Sequence, residues 1–266
     1  MNEQVDPLRL TAVDQLTAFG VDLSPEFRAV LEPRPKRKLV SGGVQAGKSM
    51  EGACEVAVPV IELGLRIALG LASTRRYLYW VVMPTYRTPP KEMQYMASWF
   101  REMGILTKEH WPDGGSARLE LWGGRVVVET RTSQDPEGIA SEAVDGILVV
   151  EAGQQPENIY TACLDRTVTR DGWVTLTGTL EDEEAKPRYV WYGDYASKWE
   201  SVADDEHASY RLPTWANRTI FPAGRSDPRF ESRLRELGQY TFDRRYGGIP
   251  RGSQFPIYPV AQQNTE

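Results

Sequence analysis

The stretch Gly42 to Ser49, GGVQAGKS, places the strongest constraint on what this chain can fold into. It fits the pattern Gly, four residues, Gly, Lys and then Ser or Thr. Glycines there let the backbone turn tightly enough to aim N–H groups at a phosphate, and the helix that follows presents its positive end. Lys48 would reach the β- and γ-phosphate oxygens and Ser49 would ligate Mg2+, with Gly42, Gly43, Val44, Gln45, Ala46 and Gly47 completing the cradle. The pattern specifies only four positions, so context decides between this and an ordinary strand-to-helix turn. Lys38 to Ser41 reads as a short strand and Met50 to Leu63 as a helix rich in Ala, Val and Glu, with Pro59 expected to bend it. A nucleoside triphosphate site requires that flanking order.

The rest of the chain supplies a sheet. Tyr77–Met83 (YLYWVVM), Ile147–Val150 and Trp173–Leu176 are continuous apolar runs, as strands covered on both faces are, and helical stretches separate them. Helices are expected at Pro90–Met103, Pro156–Leu164 and Arg229–Leu237, with a strand near Ser209–Leu212. Arg118–Leu121 and Arg125–Thr130, joined by Trp122-Gly123-Gly124, read as a hairpin trimming the sheet. Upstream, Leu8, Leu10, Val13, Leu16 and Phe19 fall at helical spacing until Gly20, and Ser24 with Pro25 starts a second helix. Pro33–Lys38 (PRPKRK) is a basic lead-in with two readings, a solvated linker or a contact near phosphates or DNA. Tyr189–Trp199 reads as irregular and aromatic, and Gly252–Glu266 as an exit without periodicity. The expected class is α/β, a P-loop NTPase with a mostly parallel central sheet flanked by helices and small antiparallel additions. Residues 1–36 would be a helical lead-in, 37–250 the ATPase domain and 251–266 an exit linker.

Composition removes some function classes. A net charge of −6 argues against a protein that coats nucleic acid by bulk attraction. Cys54 and Cys163 have no partner at metal-ligand spacing and read as buried, reduced thiols. With His110 and His207 as the two histidines, a histidine base has few candidates. No apolar run approaches the roughly 20 residues that span a bilayer, and the amino terminus lacks a signal-peptide core, so a soluble intracellular protein is the default.

A hydrolase needs an acid to aim and deprotonate water while a metal neutralises developing charge. Glu151, at the end of the Ile147–Val150 strand, is the candidate; it would act as catalytic acid and stand near the metal. Where an Asp usually precedes it to hold the Mg2+ shell, this chain has Val150. Asp145 is too far to substitute, since six residues of strand span about 20 Å. Thr177, Gly178 and Thr179 end the next strand, where a hydroxyl could sense the γ-phosphate and couple it to motion. Transition-state charge points to Arg131, Arg166 or Arg170, one of which could act across a subunit boundary. Arg75, Arg76, Arg87 and Lys91 form a weak basic group for DNA.

With these motifs in place the chain resembles the ATPase domain of the large terminase subunit of tailed bacteriophages. The residues that carry the resemblance are VSGGVQAGKS, WVVMPTYR, SQDPEGIASEAVDGILVVEAG, LTGT, LPTWANRTIFP and YGGIPRGSQFPIYP. The resemblance implies an ASCE (additional strand, catalytic Glu), RecA-like core and ATP hydrolysis with Mg2+ coupled to translocation of double-stranded DNA into a procapsid. The implied partners are the portal protein, the small terminase subunit and other copies of the chain in a ring, with a monomer expected in isolation. The implied setting is the host bacterial cytoplasm, transiently at the portal, with no membrane. In the same terms Lys48 and Ser49 bind phosphate and Mg2+, Glu151 is catalytic and Thr177–Thr179 couple. The departures are Val44, where many members carry an arginine, Val150, and a missing carboxyl-terminal nuclease, from which an isolated ATPase domain that does not cut DNA is expected. Competing readings are a weakly hydrolysing nucleotide-binding assembly module, a small-molecule kinase, which the lack of an Arg-rich lid disfavours, and a helicase-like ATPase.

Overall fold

The computed structural model describes residues 7–21, 23–86, 90–180, 190–202, 204 and 206–250. Two helices lead in, α1 (Pro7–Ala18) and α2 (Pro25–Leu31), the second capped by Ser24, whose hydroxyl accepts from the Phe27 N–H. Then come β1 (Arg37–Gly42), α3 (Lys48–Ala68), β2 (Tyr77–Met83), α4 (Lys91–Glu102), β3 (Leu106–His110), β4 (Arg118–Leu121) and β5 (Val126–Thr132). The chain continues through α5 (Pro136–Ile139), β6 (Gly146–Val149), α6 (Glu157–Thr167), β7 (Trp173–Gly178), α7 (Trp191–Ser201), β8 (His207–Leu212) and α8 (Pro228–Gly247).

The strands form one sheet in the order β3-β4-β5-β2-β6-β7-β1-β8. The six from β5 to β8 run parallel, and β3 and β4 add an antiparallel edge. β7 lies between β1 and β6, so an additional strand separates the phosphate-loop strand from the Glu151 strand. β6 and β7 are buried along their whole length, which explains their unbroken apolar runs. Side chains on one face, among them Val81, Leu148 and Val150, pack with α1, α3 and α4; those on the other, among them Trp80, Ile147 and Val149, pack with α6 and α7.

Several expectations need correction. The aromatic stretch is helical from Trp191 onward: Trp191, Tyr195 and Trp199 recur every four residues and pack, stacked or edge-on, with Tyr160 and one another, so helical spacing was concealed by residues that favour strands. The last helix continues past Leu237, breaks at Gly238 and resumes to Gly247. The expected β4–β5 hairpin forms, but β5 also pairs parallel with β2, leaving β3 and β4 as trim, and the polar, mostly exposed LTKEH of β3 carried no strand signal. The basic lead-in lies at the far end of β1 from the phosphate loop and is solvated only in part: Arg34 and Lys36 are exposed, Lys38 is not. Lys38 is buried and donates to Glu55 Oε1 (2.8 Å) and Val30 O (2.9 Å), Arg34 pairs with Glu62, Lys36 with Asp171, and Arg37 donates to Gly172 O. The expected linker at 251–266 lies outside the described residues.

Candidate nucleotide-binding site

β1 delivers the loop at its carboxyl end and α3 carries it away, so the first N–H groups of α3, which no helix can satisfy internally, face the cradle. Gly47, at φ +94°, makes the turn into the helix. Lys48 Nζ lies across the loop and donates to Gly43 O at 3.1 Å.

The loop is gripped from outside by two segments distant in sequence. Thr214 Oγ1 donates to Val44 O (2.8 Å) and Asn217 Nδ2 to Gln45 O (2.9 Å). The N–H groups of Gly43 and Val44 donate to Leu212 O and Arg245 O, and Ser41 Oγ donates to Gly248 O at 2.6 Å. A Cβ on Gly43 would collide with Thr214 Oγ1 and Tyr246 O, so this fit needs a bare backbone. The motifs LPTWAN and YGG thus brace the phosphate loop, a role their sequence alone did not disclose. Beside Gln45 opens a cavity of about 350 Å³, walled by Phe221, Phe230 and Tyr246 and edged by Arg229 and Arg233.

Glu151 follows β6 at φ 50°, ψ 43°, the left-handed region that a non-glycine residue occupies only when its surroundings impose it. Gln155, fully buried, donates to Val150 O (2.7 Å) and steadies the turn. Thr177 and Gly178 pair with Val40 and Ser41 of β1, and a Cβ on Gly178 would lie 3.1 Å from Gly153 N. The Glu151 turn, the Thr177–Thr179 end and the phosphate loop therefore meet at one edge of the sheet. Tyr192 donates to Val40 O (2.8 Å); burial, then the charges of Glu151 and Glu51, hold its phenol well above its ordinary range.

Sequence reasoning missed two acids here. Glu92, in the first turn of α4 and 7% exposed, stands close enough to Ser49 for that side chain to act on its carboxyl. Burial pushes its carboxyl upward, against its own backbone N–H and Ser49, and the Glu151 charge adds to the rise. The available signal was an acid opening the helix after a strand-end loop. Glu51, one turn into α3, is sealed from solvent, and neither carboxylate oxygen has a hydrogen-bond partner among the described residues. Burial first, then Glu55, holds it well above the usual carboxylate range.

The arginines are dispersed. Arg131 stands near the carboxyl end of β5, bonded to Glu129, close to Glu142 and 4.9 Å over the Trp80 ring. Arg166 donates to Ala140 O and Arg170 to Asp145 Oδ2 (2.8 Å), beside the start of β6. A strand's length, about 20 Å for six residues, separates that edge from the phosphate loop, so neither arginine reaches the loop of its own chain. Asp145 accepts from Arg75, Arg170 and the Leu78 N–H there, far from the place Val150 leaves without an acid. The expected DNA group is likewise divided. Arg75 and Arg76 precede β2, with Arg75 tied to Asp145 and stacked 4.0 Å over Tyr77, whereas Lys91 opens α4 beyond the other end; Arg87 lies outside the described residues.

The donor set suits a nucleoside triphosphate with Mg2+: a bare-backbone cradle, an ammonium across it, a hydroxyl at the helix start and the Glu151 turn at the same sheet edge. No group of three or more His, Cys, Asp or Glu able to hold a metal occurs among the described residues; Ser49, phosphate oxygens and water, with Glu151 near, could hold the ion.

No protein-family model matches the chain, and no curated protein matches it in sequence. Solved structures do. The large terminase ATPase domain of Thermus phage P74-26 aligns over 88% of this chain and 96% of its own, with 17% identity and a TM-score of 0.60. The large terminase of thermophilic bacteriophage D6E, solved in complex with ADP, aligns over 86% of this chain and 53% of its own (12% identity, TM-score 0.56). The HK97 bacteriophage large terminase aligns over 91% and 50% (12% identity, TM-score 0.51). This chain spans about half the length of the last two proteins. Its fold, an eight-stranded, mostly parallel α/β sheet with helices on both faces, is that of the ATPase domains of bacteriophage large terminases.

Proposed function

We propose that this protein hydrolyses ATP and, as the motor domain of a large terminase, drives double-stranded viral DNA into a procapsid. The observation that carries the reading is the meeting of the phosphate loop, Glu151 and the Thr177–Thr179 turn at one sheet edge in a fold shared with terminase ATPase domains. The loop from Gly42 to Gly47 and the start of α3 would bind the phosphates, Lys48 would leave Gly43 O for the β- and γ-oxygens, and Ser49 would present its hydroxyl to Mg2+. The cavity beside Gln45 is the place for the base and ribose. Mg2+ supplies charge neutralisation at the transferring phosphate. Glu151, held by its strained backbone, would aim a water and take its proton. Thr177 and Thr179 would pass the state of the γ-phosphate to the rest of the chain. Since Arg166 and Arg170 are held at the opposite edge of the sheet, an arginine acting at the transition state would be Arg131, near the carboxyl end of β5, or one from a neighbouring subunit of a ring. Portal, small subunit and DNA would be its partners in the host cytoplasm.

Val150 in place of an acid supports a second reading, a nucleotide-binding assembly module with slow turnover. Steady-state phosphate release separates the two. We expect Glu151→Ala to retain nucleotide binding and lose at least 100-fold in rate. Equal rates for the two proteins would remove Glu151 from the mechanism and favour the assembly module.

A further inference from the structure

Ser49 and Val150 leave a chemical question that the fold answers from an unexpected direction. A serine hydroxyl that lends a lone pair to a cation must send its proton to an acceptor. The residue before Glu151 is placed to supply one but is Val150, 5% exposed and packed among the apolar side chains between the sheet and α3. In this chain the acid brought beside Ser49 is Glu92, on the first turn of α4 and close enough for the Ser49 side chain to act on its carboxyl. Glu92 packs against α3 one turn beyond Ser49: its Cγ lies within van der Waals reach, 3.5 Å, of where a Gly52 Cβ would stand. Glu92 is 7% exposed, so its carboxylate has little water of its own, and Glu151 is near enough to act on it by charge.

We infer that Glu92 is the positioning residue for the metal in the proposed nucleotide site, doing from α4 what an acid at Val150 would do from β6. It would accept the Ser49 O–H as a hydrogen bond, leaving the hydroxyl lone pairs free for Mg2+, and its other lone pairs would accept hydrogen bonds from water bound to the ion. The ion keeps most of its water, so a single outer carboxylate of this kind suffices to orient the shell. The inference rests on the nucleotide reading above, and its test distinguishes the failure of one from the failure of the other.

The test is an equilibrium titration of a fluorescent ATP analogue at a series of Mg2+ concentrations and in EDTA, using the whole chain. Proteins compared are wild type, Glu92→Gln, Glu92→Asp and the double variant Glu92→Gln/Val150→Asp, each checked for native circular dichroism. We expect Glu92→Gln to raise the half-saturating Mg2+ concentration roughly 10- to 100-fold, the range typical of an outer-shell partner, with affinity in EDTA unchanged. The double variant should recover much of the loss, because the acid returns to the same ion from β6. Glu92→Asp, which keeps the charge and shortens the reach, should fall between, and it decides the matter if Glu92→Gln does not fold. An unchanged Mg2+ requirement in the folded variants overturns the inference while the nucleotide site stands. So does an equal loss of affinity in EDTA, the mark of a merely structural residue. If wild type binds no nucleotide with or without Mg2+, the nucleotide reading falls and this inference with it.

Discussion

Gly47 holds φ at +94°, and a methyl added there would sit 2.9 Å from Phe27 Cζ of α2. Two costs coincide at that position, a backbone conformation that L side chains resist and a ring that must move. Gly47→Ala should therefore lose about 1–3 kcal/mol of stability, read as a lower thermal midpoint, and weaken nucleotide binding as well, because the same turn shapes the cradle. A normal melt with normal affinity would show that the loop relaxes freely. Glu151 bears similar strain at φ 50° without a glycine's freedom, held by Gln155 on Val150 O and by the packed end of β7. At neither Gly47 nor Glu151 did the residue type alone disclose the strain. Glu151 was legible as an acid ending an apolar strand; its left-handed backbone comes from what surrounds it.

Among the elements, α7 links core to site most directly. Trp191 is 8% exposed, stacks on Tyr160 and donates through Nε1 to Gln155 O at 2.8 Å, while Gln155 holds the residue before Glu151. Trp191→Ala should cost about 3–5 kcal/mol, seen as a lower urea midpoint, and should slow phosphate release under folding conditions. A stability loss with an unchanged rate would show that the Glu151 turn does not depend on α7. The same helix shows why some elements were hidden in the sequence. β2, β6 and β7 are buried on both faces and announce themselves by unbroken apolar runs. α7 is an aromatic stripe whose residues favour strands in isolation, and the second half of α8 follows a break at Gly238, so local preference pointed elsewhere and tertiary packing prevailed.

The molecule as a whole seals both of its cysteines. Burial pushes the Cys163 thiol up to about 12, and burial, with Glu51 and Glu55, pushes Cys54 well above its ordinary value. A thiol raised on folding favours the native state below its unfolded pKa of about 8.5 and loses that contribution as pH climbs toward the folded value. Stability should thus fall as pH rises from about 8.5, and further above about 10, where Tyr79, Tyr160 and Tyr192, all raised by burial, add the same sign. Ellman's reagent at pH 8 should find no reactive thiol in the native protein and two after denaturation; a fast native reaction would mean that the core opens readily. No helix among the described residues is long and apolar enough to cross a membrane.

The sequence by itself determined the phosphate loop, the apolar strands and the acid that follows one of them. Each depends on requirements satisfied within a few adjacent residues: a tight turn, burial on two faces, a helix start. Only the tertiary structure decided how charges are paired and which acid attends Ser49. Lys38 meets Glu55, Lys36 meets Asp171, Arg75 and Arg170 share Asp145, and Ser49 meets Glu92, all across elements far apart along the chain. An ion pair or hydrogen bond is set by distance in space, and that distance exists only after the sheet has brought its strand ends together.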